Sequence, residues 1–130
     1  MLLRAKETCI EQDDCNTNEI YYVAYNSFYR DHKALFHVMN LQEKYICRPS
    51  FSKRSICVSF HYTHVSNEVM RRFWEQLEQC KDYIDKVAIV GVPVNARAIF
   101  TVKSKYKGNE LACFQFFTNT ESAVHWLNKQ

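Results

Sequence analysis

The chain has 130 residues, of which 47% are hydrophobic and 24% are charged, a balance typical of a folded domain rather than of a disordered or membrane chain. Its formal net charge is only +3, which is too small for a dedicated nucleic-acid-binding protein with several Lys and Arg side chains on one face. We therefore expect one domain over residues 1–130 and no nucleic acid among its partners.

The N-terminal stretch lacks the apolar run of about 7 to 15 residues that a signal peptide needs, and no later stretch reaches the roughly 20 apolar residues of a membrane span. We therefore expect a cytoplasmic protein without an integral membrane segment. In that compartment the six cysteines are expected to be reduced thiols and not a disulfide framework.

The first part of the chain predicts a strand followed by a helix. Aromatic and β-branched residues over Glu19–Tyr25 predict the strand, and weak alternation over Arg4–Glu11 allows a hairpin with it through Asp13–Asn18. Apolar residues at three- and four-residue steps predict a helix over Asp31–Tyr45. Pro49 ends that region because proline removes a backbone donor.

The middle of the chain predicts a second strand and a second helix. Residues Ile56–Tyr62 alternate between two faces, as a strand does. Ser66 is predicted to cap the helix, because its hydroxyl oxygen can accept from a free amide of the first turn. The apolar seam of this helix consists of Val69, Phe73, Leu77, Cys80 and Ile84.

A third strand and helix follow. Lys86–Val92 is nearly all β-branched and apolar, which predicts a strand covered on both faces of a parallel sheet. Asn95 is predicted to cap the next helix and Gly108 to close it. The residues predicted to point inward from this helix are Ala98, Ile99, Val102 and Tyr106.

The C-terminal part predicts a last strand over Leu111–Phe117 and a short final helix. Thr118 and Glu121 have the spacing of a capping box, in which each side chain satisfies an exposed backbone donor near the other. The final helix is predicted to bury Ala123, Val124 and Leu127, with Trp126 covering its edge.

Strands and helices that alternate in this way predict an α/β domain with a mainly parallel sheet. Ligands of such folds bind beyond the carboxyl ends of the strands, which places the candidate site near Gly91–Asn95. A dinucleotide fingerprint starting at Gly91 would need glycine at the positions of Pro93 and Ala96. With two glycines in the chain, neither this fingerprint nor a phosphate-binding P-loop is present, so no nucleotide cofactor is expected.

The order of elements, with the motif Ala88-x-Val90-Gly91 and the closing helix pattern Ala123-x-x-Trp126-Leu127, resembles the SpoIIAA-like branch of the STAS/Sec14-type superfamily. The strand ending in Phe116 and Phe117, the polar turn 118–121 and the early segment EIYYVAYNSF also match, so the resemblance extends from about Glu19 onward.

The resemblance implies a sheet of four to five mostly parallel strands with about four helices, no cofactor and no established catalytic residues. In the anti-sigma-factor antagonists of that superfamily, an Asp-Ser-Ser motif carries a regulatory phosphoserine. Ser66 in HYTHVSNEV takes the place of one serine, but the aspartate and the second serine are missing, so the sequence does not predict this switch.

Local chemistry predicts neither a metal site nor a catalytic residue. His61 and His64 are three residues apart, but a zinc site needs three or four ligands and the local sequence supplies no others. No C-x-x-C motif is present, and Cys57, Cys80 and Cys113 are expected to be small apolar core residues. A nucleophilic couple of Cys57 and His125 lacks support from the sequence around either residue.

Aromatic residues reach 15% of the chain, more than one core requires, so some are expected at a pocket or a partner surface. The aromatic candidates are Tyr21, Tyr25, Phe28, Tyr29 and Tyr62. We expect a non-enzymatic regulatory or protein-interaction module that binds a protein partner or a second copy. A small apolar-ligand or lipid-binding domain is the alternative, and an enzyme using His61, His64 or a cysteine is the third. The predicted ligand or partner surface consists of Tyr62, His64, Ser66, Pro93, Asn95 and Phe117.

Overall fold

The computed structural model describes residues 20–48, 53–104 and 113–129 of the chain. The strands in these residues are β1 (Ile20–Ala24), β2 (Arg54–Ser59), β3 (Ile84–Val90) and β4 (Cys113–Phe117). The α-helices are α1 (His32–Ile46), α2 (Asn67–Gln79), α3 (Ala98–Lys103) and α4 (Thr120–Leu127). Two short 3₁₀ helices cover Lys81–Tyr83 and Val94–Arg97.

The four strands form one parallel sheet in the order β1-β2-β3-β4. Parallel neighbours require a crossover, and a helix lies in each connection. The expected α/β domain is thus confirmed, with four parallel strands and four α-helices in the described ranges. The predicted hairpin over residues 4–18 lies outside those ranges.

Helices α1, α2 and α3 cover one face of the sheet and bury a cluster of aromatic rings. Phe100 of α3 is at its centre, with ring centroids 4.9 Å from Trp74, 5.6 Å from Phe73 and 5.2 Å from Phe114. Edge-to-face geometry is the preferred arrangement of aromatic pairs, and Trp74 and Phe114 both adopt it against Phe100.

Helix α4 covers the opposite face, where Ala123 and Leu127 pack against the sheet. The Lys86 ammonium donates to the backbone carbonyls of Trp126 and Lys129 at 3.4 and 2.8 Å, which stabilises the negative end of the helix dipole. Alternate residues of β3 thus point into the two opposite cores, as predicted from its apolar sequence.

Side-chain caps fix three of the four helix starts. Asp31 accepts from Ala34 N–H and Ser66 accepts from Val69 N–H, so the predicted Ser66 cap is confirmed. The cap of α4 is Asn119 and not Thr118, because the Asn119 side chain is the one that accepts from Ser122 N–H, at 2.8 Å. The predicted Thr118 capping box is therefore wrong by one residue.

The region after β3 differs most from the prediction. Asn95 is exposed within the 3₁₀ helix and does not cap a helix; α3 begins at Ala98 without a side-chain cap. The tighter 3₁₀ turn changes the angular phase, so Ala98 and Val102 are exposed and Phe100 points inward. Tyr106 and Gly108 lie outside the described residues.

Boundaries of other elements shift by three residues or fewer, except at Ile84. This residue is the first of β3 rather than the last of the α2 seam, because α2 ends at Gln79 and a 3₁₀ turn intervenes. Strand β2 ends at Ser59, short of the predicted Tyr62. The N-terminal end of the last predicted strand, Leu111, lies outside the described residues.

The cysteines depart from the expected reduced and buried set. Cys47 and Cys80 directly follow α1 and α2 and form a disulfide, with their Cα atoms 5.3 Å apart. The expectation of reduced thiols is therefore wrong for this pair, whose approach depends on tertiary packing. Cys113 is exposed and not a core residue, whereas Cys57 is buried.

The thiol of Cys57 predicts a pH effect on stability. Burial raises its pKa from 9.0 to about 12. Between these pH values the folded state retains a proton that the unfolded chain has released. The contribution of this thiol to stability is therefore fully present below pH 9.0 and is lost as the pH rises from 9.0 through about 12. We expect the free energy of unfolding to fall by up to about 1.4 kcal/mol per pH unit more steeply in the wild type than in Cys57→Ala within this window. Urea titrations at several pH values measure both slopes, and equal slopes would contradict the assignment.

No α-helix in the described ranges is both long enough and apolar enough to cross a membrane.

Candidate functional site: the carboxyl rim

Three loops meet at the carboxyl edge of the sheet. They are residues 25–31 after β1, residues 60–65 after β2 and residues 91–95 after β3, and we call them together the carboxyl rim. Parallel strands bring their carboxyl ends to one edge, so residues distant in sequence become neighbours here.

Backbone hydrogen bonds join the first loop to the second beyond the ends of the strands. The Tyr29 N–H donates to the Tyr62 carbonyl at 2.9 Å, and the His64 N–H donates to the Tyr29 carbonyl at 2.6 Å. Tyr29 also forms an isolated parallel bridge with Thr63. Two loops that would otherwise be free to move separately are thereby held together.

Two buried or half-buried side chains reinforce this junction. The Thr63 hydroxyl donates to the Tyr25 carbonyl at 2.6 Å and accepts from the Phe28 N–H at 3.1 Å. The Asn26 side-chain oxygen accepts from the His61 N–H at 2.8 Å and from the Ser59 hydroxyl. Each side chain replaces a backbone partner that the end of the sheet no longer provides.

The rim contains every left-handed residue in the described ranges. Ser27, Tyr29 and Tyr62 have φ values of 65°, 52° and 60°, and Gly91 has 87°. A non-glycine residue in this region carries a conformational cost of about 1–3 kcal/mol, and it persists only where surrounding contacts over-determine it. The backbone bonds of Tyr29 supply that constraint for both tyrosines.

This backbone geometry leaves large apolar side chains in solvent. Tyr29 is 65% exposed, Tyr62 is 76% exposed and Val94 is 77% exposed. Among the described residues, the fourth exposed large hydrophobic side chain is Val102, which lies on α3 outside the rim. Exposed apolar side chains on loops at one edge of the sheet indicate a contact surface.

The structure places most of the predicted surface at this rim. Tyr62, His64, Pro93 and Asn95 are exposed on its loops. The half-buried Ser66 lies just beyond it, with its hydroxyl engaged as the cap of α2. Phe117 ends β4 but packs against Trp126 on the α4 side, at 5.6 Å between ring centroids, and so does not join the exposed rim.

The aromatic candidates divide in the same way. Tyr25 is fully buried, and its hydroxyl donates to Gln76, so its assignment to a partner surface is wrong. Tyr21 is half-buried and donates to Gln42, and Phe28 is half-buried. Val94 was not among the predicted surface residues, although its position next to Pro93, beyond a predicted buried strand, was a usable signal.

His64 of the rim contacts His32, the first residue of α1. The rings of His32 and His64 stack 5.8 Å apart with an interplanar angle of 3°, and His32 Nε2 lies 3.1 Å from the His64 carbonyl oxygen. The described residues contain no group of three or more His, Cys, Asp or Glu that could hold a metal ion.

The environment of Cys57 does not suit a nucleophilic couple with His125. Cys57 is buried between the sheet and α4, and burial raises the pKa of its thiol to about 12. A nucleophilic cysteine needs a lowered thiol pKa, so this environment opposes that chemistry. His125 is exposed on α4 and lines the groove beside β4.

Gly91 lies close to the backbone of the second loop and yields a testable prediction. A Cβ atom there would lie 3.2 Å from the backbone nitrogen of His61 and 3.3 Å from the carbonyl carbon of Phe60, in a left-handed conformation. We expect Gly91→Ala to lower the free energy of unfolding by about 1–3 kcal/mol, measured by urea denaturation. Asn95→Ala, at an exposed position of the same loop, should change it by less than about 0.5 kcal/mol. Equal stability of both variants would contradict the close approach at Gly91.

Two grooves lie away from the rim. One, of about 530 Å³, runs between α1 and α2 and contains the Arg72–Glu43 ion pair together with Glu75, Glu78 and Lys81. The other, of about 520 Å³, lies between β4 and α4 and includes Gln115, Phe117 and Trp126. The groove between α1 and α2 is lined by charged and polar side chains, whereas the groove between β4 and α4 is lined by aromatic side chains as well as polar ones.

Comparisons with protein-family models, with curated proteins and with solved structures gave no significant match.

Proposed function

We propose that the protein is a non-enzymatic interaction module, of regulatory type, that binds a protein partner through the carboxyl rim. The observation that carries this proposal is the display of Tyr29 and Tyr62, which are 65% and 76% exposed on loops joined by backbone hydrogen bonds. Tyrosine is among the residues that contribute most to protein interfaces, because it combines a large apolar ring with a hydroxyl group.

Tyr29 and Tyr62 lie on loops whose backbone is already fixed, and this favours contact with a protein. An interface loses free energy when mobile loops and side chains must be ordered, and a loop that is already fixed avoids part of that cost. The hydrogen bonds between Tyr29, Tyr62 and His64 hold the backbone before any partner arrives. Val94, on the third loop of the same rim, is a further exposed apolar side chain.

The proposal also takes the domain to be of SpoIIAA-like type, which rests on the sequence resemblance. Four strands in sequential parallel order, each followed by an α-helix, are compatible with that fold type. The cytoplasmic location stays a prediction from the sequence. Disulfides are uncommon in reducing compartments, so the Cys47–Cys80 pair removes the cysteine-based support for it.

The test compares partner binding by three tagged forms of the full chain. Quantitative mass spectrometry of captured proteins should identify a partner that the wild type and Val102→Ser retain and that Tyr29→Ser/Tyr62→Ser loses. Val102→Ser is the matched control because it also removes an exposed apolar side chain, but outside the rim. Calorimetry with the purified partner should give at least about tenfold weaker binding for the double variant.

The proposal is wrong if the double variant, shown by circular dichroism to be folded, captures the same proteins with the same affinity as the wild type. It is also wrong if native mass spectrometry finds a stoichiometric lipid in the purified protein and no captured protein depends on the two tyrosines. The second result would favour the alternative, a small apolar-ligand or lipid-binding domain.

A further inference from the structure

Strand β4 lies at the edge of the sheet, and its outer backbone groups have no partner among the described residues. The Gly91 N–H donates to the Phe117 carbonyl, so the backbone groups of Phe117 point toward β3. Backbone groups alternate in direction along a strand, which turns the N–H and C=O of Phe114 and Phe116 outward. No hydrogen bond from either residue to a further strand is present in that part of the chain.

The sequence of β4 contains none of the features that prevent an exposed edge strand from pairing with a strand of another molecule. Natural sheets protect their edges with Lys, Pro, bulges or inward charges. Cys113–Phe117 reads CFQFF, without a charge or a proline, and its register with β3 is continuous. Within the described ranges, the edge therefore presents unpaired donors and acceptors beside half-buried aromatic rings, a surface that another strand would complete.

We propose that β4 pairs antiparallel with β4 of a second copy of this chain, around a two-fold axis at Gln115. This proposal goes beyond the proposed function, because it concerns the sheet edge and not the carboxyl rim. In this register Phe114 of one copy pairs with Phe116 of the other, and their outward N–H and C=O groups exchange hydrogen bonds. Both copies gain the same set of contacts, as a two-fold interface requires.

The side chains of β4 are self-complementary in this register. On the face covered by α2 and α3, Phe114 meets Phe116 of the other copy, and aromatic cross-strand pairs are favourable. On the α4 face, Gln115 meets its own counterpart on the axis, and an amide can both donate to and accept from an identical amide. The uncharged strand places no like charges opposite each other.

The adjacent charges also suit a second copy. Glu121 is in the first turn of α4 and Lys129 follows its last turn, and both line the groove beside β4. A two-fold axis makes the two α4 helices antiparallel, so the acidic end of one helix is directed toward the basic end of the other. A parallel alignment of the same two edges is disfavoured, because it would place like charges of the two helices next to each other.

Sedimentation of the 130-residue chain across a wide concentration range tests the proposal. We expect a monomer–dimer equilibrium for the wild type and for Gln79→Lys, which adds the same charge at an exposed helical position. Gln115→Lys places two like charges at the axis and should weaken dimerisation at least about tenfold. Gln115 is exposed, so this variant is expected to fold, and circular dichroism checks that it does.

A disulfide scan tests the register independently. Residues directly opposite in a non-hydrogen-bonded pair have Cα atoms about 4.5 Å apart, within the range that a disulfide spans. Cys113→Ser/Gln115→Cys should therefore form a covalent dimer joined at residue 115 on mild oxidation. The native Cys113 pair should not crosslink, since four residues of offset separate it by about 13 Å.

A wild type that stays monomeric would overturn the proposal, and would leave β4 open to a strand from another protein. A dimer that Gln115→Lys leaves intact, or that does not crosslink through residue 115, would overturn it as well. Tyr29→Ser/Tyr62→Ser should dimerise like the wild type, so failure of this proposal and failure of the rim proposal are distinguishable.

Discussion

Phe100→Ala should lower the free energy of unfolding by about 3–5 kcal/mol, a large fraction of the stability of a domain of this size. Phe100 is fully buried, and its ring contacts Phe73, Trp74, Phe114 and Phe116. Truncation would leave a cavity that these rings cannot fill without leaving their packed positions, because they are held by α2 and by the sheet.

Urea denaturation of the purified variants measures this effect. Val102→Ala is the matched control, since it removes an apolar side chain from the same helix at a position that is 51% exposed. We expect it to change the free energy of unfolding by less than about 0.5 kcal/mol. A Phe100→Ala variant as stable as this control would show that α3 does not pack against β4 and α2 as described.

Gln76→Met should lower the free energy of unfolding by about 2–3 kcal/mol, because it breaks a buried polar link between α2, α1 and the loop after β1. The Tyr25 hydroxyl donates to the Gln76 side-chain oxygen at 3.0 Å, and the Gln76 amide donates to the Met39 carbonyl at 2.7 Å. Methionine preserves the approximate side-chain volume, so the loss comes mainly from a hydroxyl left without a partner. Burial of that hydroxyl raises the pKa of the Tyr25 phenol.

A double-mutant cycle separates this loss from packing. Tyr25→Phe removes the hydroxyl, so Tyr25→Phe/Gln76→Met should be more stable than the sum of the two single effects predicts, by about 1 kcal/mol or more. Denaturant titrations of the four proteins supply the cycle. Strict additivity would show that the two side chains do not interact in the folded state.

Local sequence patterns were sufficient for much of the fold. The β-branched run at Lys86–Val92 indicated a strand buried on both faces, and Ser66 with the Val69–Phe73–Leu77 spacing indicated the start and inner face of α2. These features depend on residues within one element, and the alternation of elements then implied a parallel sheet.

Features that depend on distant contacts were not predictable in the same way. The left-handed conformations of Tyr29 and Tyr62 are held by backbone bonds between loops 33 residues apart, and neither residue type indicates such a conformation. The phase of α3 was missed because a 3₁₀ turn precedes it, which placed Phe100 inward instead of Val102. The Cys47–Cys80 pair likewise arises from the packing of α1 against α2.

The candidate site shows the same division. Its location followed from the rule that ligands bind at the carboxyl ends of parallel strands, and Tyr62, His64, Pro93 and Asn95 are exposed there. Local sequence patterns do not distinguish an exposed tyrosine from a buried one. Tyr25 and Tyr29 are four residues apart, yet the first is fully buried and the second is 65% exposed because the chain turns at Ser27.

Photo-crosslinking from position 62 tests the role of the carboxyl rim most directly. Benzoylphenylalanine replaces Tyr62 in one protein and Val102 in a control, and each is irradiated with the partner identified by capture. A crosslink to the partner from position 62, with little from position 102, is the result that the rim proposal predicts. A partner that crosslinks from position 102 and not from position 62 would contradict it.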